Sequence, residues 1–488
     1  MSTAVNISEA TPAATGTRAW PVESEWREAR ASSRWLLGAI LIQFATQVTL
    51  LAGLSSIRPI LRSVAFVASL ACLLLVPQGG VRHPARLWGL AVIALVAAEL
   101  FHPETAGWVG GLAHLAVYVA VIGPVFWVSR LRIDMSDFRR IMIVFWIFYA
   151  VSSGVGMIQV YFPGLFESDE VTAVAVKYGL TVTLASGESI VRPTGLTDAP
   201  GGAAIAGFYA CVVGSGLLFE RARWPWRVVL VAGMTIGVFV IYLSHVRSLL
   251  VMCGVCMLGS AVAIGMRGRP GRALLFGGLI VAVFAVAWSL AVDVAGDSVR
   301  DRVDSLTAGG AGEVYYANRG RFLESTLDTL LPEYPLGAGL ARWGMMSFYF
   351  GEFGGKVTPM FAEIQWTGWV LDAGIFMLIA YPTALLVSLW TTVKITLGQV
   401  GRTVPELRIW GGVMVGYTLG SIAFTFNAQP FMGTPGQEFW MLSTMLLVVA
   451  LRADHAAATQ PDSSSMNETM SRAMSSQVRA RSAPASSL

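Results

Sequence analysis

VVLVAGMTIGVFVIYLSHVRSLLVMCGVCMLGSAVAIGM, residues 228–266, contains no acidic residue and a single arginine, Arg247. Apolar runs over 228–244 and 248–266 flank that arginine. Each approaches the ~20 residues a helix needs to cross a hydrocarbon core. A turn this short returns the chain directly, so the stretch reads as two consecutive antiparallel membrane spans. The same pattern extends in both directions.

Of the 488 residues, 55% are hydrophobic and 13% are charged. Soluble domains carry about 25% charged residues, so the balance is shifted toward lipid. A soluble enzyme, a secreted disulfide scaffold and a disordered regulator are excluded. Apolar runs fall near 36–55, 63–78, 87–101, 108–128, 141–162, 202–219, 228–244, 248–266, 273–293, 363–391, 409–427 and 437–451. The expected fold class is therefore all-α: a polytopic membrane protein with about 12 transmembrane helices.

With a cytoplasmic N-terminus, 23 of the 34 Lys and Arg residues fall on the inner side. Six of the remaining eleven share one long loop, where the positive-inside rule has little force. Both termini are thus expected to be cytoplasmic. The N-terminal segment 1–35 shows no signal-peptide pattern, and Arg27, Arg30 and Arg34 between tryptophans suit a helix on the membrane surface. Residues 36–451 form the membrane domain, and the Ser-, Ala- and Thr-rich tail 452–488 reads as disordered.

Two outer connections, 163–201 and 294–362, far exceed the few residues a connector needs. The second, between spans 9 and 10, contains Asn318 followed by RGRFLESTLDTLL and Pro332. This predicts an amphipathic helix capped by Asn318 and stopped by Pro332.

All four cysteines lie within apolar runs, and the Cys253–Cys256 pair reads as small packing residues. No HExxH, EF-hand or Walker loop is present, so no metal site, nucleotide chemistry or other cofactor is expected. Nothing points to nucleic acid.

Both outer loops are net acidic, so an anion site must rest on particular arginines. The candidates are Arg192 in IVRPTGLTDAPGG, Arg247 in YLSHVRSLLV, and Arg319 and Arg321 in ANRGRF. At a membrane boundary Arg247 either snorkels to the headgroups or offers forked donors to a phosphate. Glu363 opens the tenth span at the water–lipid junction. It is either a base toward a hydroxyl or a carboxylate favoured by the helix dipole. Asp372, nine residues further, and Glu99 read as structural first, each pairing across helices.

Together these segments resemble the superfamily of O-antigen ligases and O-antigen or exopolysaccharide polymerases, which are integral membrane glycosyltransferases. RPTGLTDAP at 192–200 resembles its Arg-x-x-Gly segment, and LSHVRSLL at 243–250 its Ser-x-x-Arg segment. NRGRFLESTLDTLLPEYPLGAGL at 318–340 is similar to the arginine, long helix and Gly-rich run of its large outer loop. AEIQWTGWVLDAGIF at 362–376 is similar to its His-Asn-x-x-Leu segment with a following acidic-x-Gly. Glu363 and Ile364 stand where ligases carry His and Asn, which favours a polymerase or a divergent branch.

The resemblance implies transfer of a glycan from undecaprenyl diphosphate to an acceptor glycan or lipid, without metal or nucleotide. The setting implied is the outer face of a bacterial inner membrane. Glu363 would be the base, and Arg192, Arg247 and Arg319 would hold the donor diphosphate. Arg321, His245 and Asp372 would be secondary residues, and a chain-length regulator and flippase would be partners. Ligation proper remains the alternative to polymerisation. From another class, a twelve-span anion transporter is the rival, although no internal repeat is visible. A scaffold in envelope assembly is a third reading.

The topology makes a direct forecast. Cysteines introduced at Ser168 and Gly310 react with an impermeant thiol reagent in intact spheroplasts, and cysteines at Ser136 and Ser471 do not. Labelling of the Ser136 site from outside would invert the map.

Overall fold

The computed structural model describes residues 32–459 apart from 52–56, 163–171, 174, 177–179, 184–186, 222, 245, 267–269, 305–310, 356, 399–400 and 402–403. The surface helix expected within 1–35, His245 and most of the expected disordered tail lie outside the described residues.

Twelve long helices occupy the apolar runs: α1 (Ser32–Leu50), α2 (Arg58–Leu75), α3 (Arg86–Glu99), α4 (Trp108–Ile122), α5 (Met135–Tyr161) and α6 (Gly202–Arg221). They continue as α7 (Trp224–Leu243), α8 (Arg247–Gly265), α9 (Pro270–Ala295), α10 (Gln365–Leu397), α11 (Pro405–Phe424) and α12 (Thr434–Thr459). Among the described residues, ten helices are long and apolar enough to span a membrane; α1 and α3 fall short. The protein is an all-α polytopic membrane protein. Among the described residues there is one small sheet, a hairpin of β1 (Thr181–Thr183) and β2 (Ser189–Val191).

Burial sorts the helices. Those of α4, α6, α11 and α12 are mostly interior, whereas α2 and α9 expose most of their surface. Exposed leucines such as Leu74, Leu87 and Leu274 then face hydrocarbon. Within lipid, apolar area gives helices little reason to associate, so close packing of small residues must do it. On α11, Gly412, Gly416 and Gly420 form one stripe. A Cβ on Gly416 would collide with the Cys256 carbonyl oxygen of α8, and one on Gly420 with the Cys256 sulfur. Cys253 and Cys256 are both fully buried in this seam. Gly207 of α6 and Gly237 of α7 meet backbone to backbone in the same way.

The long connections gather at one end of the bundle. There Asp198 reaches Arg58 and Arg62 beside the α1–α2 turn, and Leu340 accepts from Ala106 in the α3–α4 turn at 2.9 Å. Arg342, buried, ties this layer together through Glu104, the Thr358 carbonyl (3.1 Å) and the Ala338 carbonyl (2.9 Å). The helix expected to start at Asn318 begins earlier, as a helical run over 311–333. Tyr316–Gly320 and Thr326–Leu330 are wide π turns that carry it through the expected cap. It ends at Glu333, one residue past Pro332, because proline fits the first turn of the terminal segment.

The α10 helix is broken. Ala373 (φ −164°, ψ 33°) and Gly374 (φ 55°, ψ −138°) leave helical geometry, and the loop segment 335–338 enters the gap. Ala338 N–H donates to Leu371 O at 2.7 Å, and Ile375 N–H to Pro335 O at 3.0 Å. Only glycine tolerates this positive φ with the Pro335 carbonyl lying against it.

The α8–α11 seam can be tested by overpacking. Gly416→Ala should lower stability by about 1–3 kcal/mol, the usual cost of forcing extra volume into a filled core. Gly278→Ala, with nothing near its Cβ position, should leave thermal melting in detergent unchanged. Equal melting of the two variants would contradict the packing described.

Candidate functional site

Segment 192–202, RPTGLTDAPGG, is where the loop end acquires its charge. Gln159 of α5 clamps its bend. The Gln159 Oε1 accepts from the N–H groups of Thr194 (3.0 Å) and Gly195 (2.9 Å), and its Nε2 donates to Thr194 Oγ1 (3.0 Å). Ser152 Oγ accepts from Leu196 N–H at 3.0 Å, and the left-handed Gly195 (φ +64°) packs directly on that serine.

Two arginines, Arg58 and Arg62, bond this segment, and a third lies within it. Arg192 begins it. The Asp198 carboxylate receives Arg62 Nη2 at 2.7 Å and Arg58 Nε at 3.0 Å. Gly201 faces Val246, the residue before Arg247 at the start of α8. Asp198 is the only acid the segment contributes. Arg192 Nε is buried without a hydrogen-bond partner among the described residues, and burial pushes its guanidinium pKa below the usual value. A buried donor without a partner calls for an explanation, and a guanidinium suits an anion.

Beside the segment lies a cavity of about 350 Å³, lined by residues of α1, α2, α4, α5, α6 and α12 and by Trp343–Met346 of the long connection. Arg62 and Asp198 line it, as do Gln43, Gln47, Tyr149 and Glu438. Glu438 is 1% exposed. Its Oε1 accepts hydrogen bonds from Gln43 Nε2 and Tyr149 OH. Tyr149 stacks on Tyr209 at 4.6 Å, and Tyr209 shares a 3.0 Å hydroxyl contact with Tyr417.

A second polar cluster surrounds Asp372, which is fully buried. It accepts from Tyr118 OH and from Trp343 Nε1 at 2.7 Å, and His114 Nε2 approaches to 3.0 Å. Trp343 therefore joins this cluster to the cavity lining. Arg319 forms an ion pair with Glu363. The neighbouring Ala362 carbonyl accepts from the side chain of Gln429, a cavity-lining residue.

The sequence candidates are thus distributed in three places. Arg192 begins the 192–202 segment, Arg247 opens α8, Arg319 and Glu363 pair with each other, and Asp372 belongs to the buried cluster. Arg321 is exposed, its guanidinium 6.0 Å from the Tyr316 ring centre. Glu363 does not line the cavity. Sequence reading missed Arg58, Arg62, Gln43, Tyr149 and Glu438. Three signals were available: Arg58 and Arg62 lie four residues apart, as do Gln43 and Gln47, and Glu438 is the only acid in its apolar run. No family model matches this chain, and no curated protein matches it.

The Asp372 cluster makes a stability forecast. Asp372→Ala strands the Tyr118 hydroxyl and the Trp343 N–H in the interior, at about 1–3 kcal/mol for each unsatisfied group. Asp372→Asn keeps an acceptor and should cost less. Thermal melting in detergent reads both, and an unchanged Asp372→Ala would refute the bonding described.

Proposed function

We propose that this protein is a glycosyltransferase of the bacterial inner membrane that takes glycans from undecaprenyl diphosphate at the outer face. The reading leans to a surface-polysaccharide or exopolysaccharide polymerase, with O-antigen ligation as the alternative. The observation that carries it is the pairing of Arg58 and Arg62 with Asp198 of segment 192–202, which Arg192 begins, beside a cavity that Arg62 lines. Guanidinium forks suit a diphosphate, and a lipid-linked donor suits a site walled by membrane helices.

In this scheme the acceptor hydroxyl oxygen attacks the anomeric carbon while the bond from that carbon to the diphosphate oxygen breaks. Glu363 takes the hydroxyl proton. The electron pair leaves with undecaprenyl diphosphate, whose developing charge the arginines offset. Direct displacement inverts the anomeric centre. Arg319, paired with Glu363, holds the carboxylate where an acceptor approaching from the aqueous side would meet it.

Turnover of a purified lipid-diphosphate glycan in nanodiscs, read as released undecaprenyl diphosphate, tests the scheme. Glu363→Gln should lower the rate about 10²–10⁴-fold, the usual contribution of a general base. Glu363→His restores a base and should retain more activity than Gln or Ala. Arg192→Ala and Arg247→Ala should abolish turnover while leaving membrane levels intact, and Lys at Arg247 should recover little. Wild-type turnover in Glu363→Gln would end the base assignment, and full activity in both arginine variants would end the donor site.

A further inference from the structure

The end of the bundle opposite the long connections holds a separate cavity of about 340 Å³ between α5, α6 and α7. Its polar lining comes from the helix ends: Arg139 in the second turn of α5, Glu220 beside the last residue of α6, and Arg223 immediately before α7. Its apolar lining, Ile143, Leu217 and Leu230, lies about one turn further in on each helix. Trp146 marks the inner limit. A Cβ on Gly214 of α6 or on Gly233 of α7 would collide with its ring, so the three helices meet at this indole. Its Nε1 donates to the Ala210 carbonyl at 3.1 Å. Every other lining residue lies on the helix-end side of that contact.

Buried Glu220 positions Arg139. Arg139 Nε at 3.0 Å and Nη2 at 2.6 Å both donate to Glu220 Oε1, and Nη1 takes no part in that bond. The Arg139 side chain stays 41% exposed. Arg223 is exposed as well. The lining thus carries two positive charges against one negative. Arg221, Arg223 and Arg227 follow Glu220, and no acidic residue appears again before Asp293. Trp224, Trp226, Val228 and Val229 are all exposed at the start of α7. Tryptophans there suit the headgroup level, and exposed valines suit hydrocarbon, so lipid adjoins this side of the cavity.

We propose that this cavity binds an anionic phospholipid, whose phosphodiester is held by Arg223 and Arg139 Nη1 while an acyl chain runs inward along Trp226 and Ile143. Basic pockets between membrane helices suit such headgroups, because the guanidinium forks meet the phosphate where lipid already lies. A zwitterionic head would bring an ammonium group to a lining of net positive charge, which favours the anionic class. The site is distinct from the cavity beside segment 192–202 and does not rest on the transferase reading.

Native mass spectrometry of the full-length protein in detergent tests it, with dioleoyl phosphatidylglycerol and dioleoyl phosphatidylcholine as probes. The wild-type protein should retain the glycerol lipid in preference to the choline lipid. Arg223→Gln should weaken the glycerol lipid about fivefold, the worth of one basic residue at an anionic surface, and leave the choline lipid within about twofold. Arg300→Gln removes the same charge from an exposed side chain at the other end of the bundle and should change neither. Ile143→Trp fills the apolar part, leaves every charge in place and should also weaken the glycerol lipid. Trp226→Ala, at an exposed position, takes its place if that variant fails to fold. Equal binding of the two lipids by the wild-type protein overturns the site, as does unchanged retention of the glycerol lipid in Arg223→Gln or in the apolar variant. Equal losses in Arg223→Gln and Arg300→Gln would show attraction to net charge alone and overturn it too.

Discussion

The break in α10 at Ala373–Gly374 is the constraint from which the loop end takes its shape. A continuous helix there would close its own hydrogen bonds and offer nothing to the long connection between α9 and α10. Once broken, Leu371 O and Ile375 N–H need outside partners, and Ala338 and Pro335 provide them. Buried backbone groups cannot remain unpaired at membrane depth, so the loop is held there by necessity. Its next residues then follow in fixed positions: Arg342 ties down the neighbouring stretch of chain, and Trp343, a residue of the cavity lining, reaches Asp372 with its N–H.

The same logic explains how two carboxylates persist inside the bundle. Asp372 is surrounded by Tyr118, His114 and Trp343, and Glu438 by Gln43, Tyr149 and the adjoining tyrosines. Both accept hydrogen bonds from uncharged donors, and at Asp372 the His114 Nε2 also lies 3.0 Å from Oδ1. Asp372 spends that capacity on the fold. Glu438 keeps part of its surroundings open.

The helices were legible in the sequence because lipid imposes a length and apolarity on each one, and among the described residues ten of the expected twelve meet both, with α1 and α3 short of it. The loop helix was legible in its apolar stripe but not in its start, because Asn318 is a good cap residue that the π turn at Tyr316–Gly320 passes over. Arg192, Arg247 and Glu363 could be singled out because a charge at a membrane boundary is conspicuous by itself. The cavity could not be read in this way. Gln43 and Glu438 are 395 residues apart in the chain, and no local pattern says that α1 and α12 will touch.

A trace of that meeting was nevertheless present in composition. The helix α1 has the length of a span and yet falls short of the apolarity expected of one, because Gln43, Thr46, Gln47 and Thr49 interrupt its apolar residues. Three of these four line the cavity. Thr46 and Thr49 return their hydroxyls to carbonyls one turn back (2.7 and 2.8 Å), so they add little cost in lipid. The glutamines cannot do this, and Gln43 turns instead to Glu438. In a polytopic protein the least apolar span is therefore informative: lipid penalises each polar side chain on it, and that penalty is tolerated where the side chain faces an interior partner or an open site. The weak hydropathy of α1 is the sequence-level shadow of the cavity it helps to enclose.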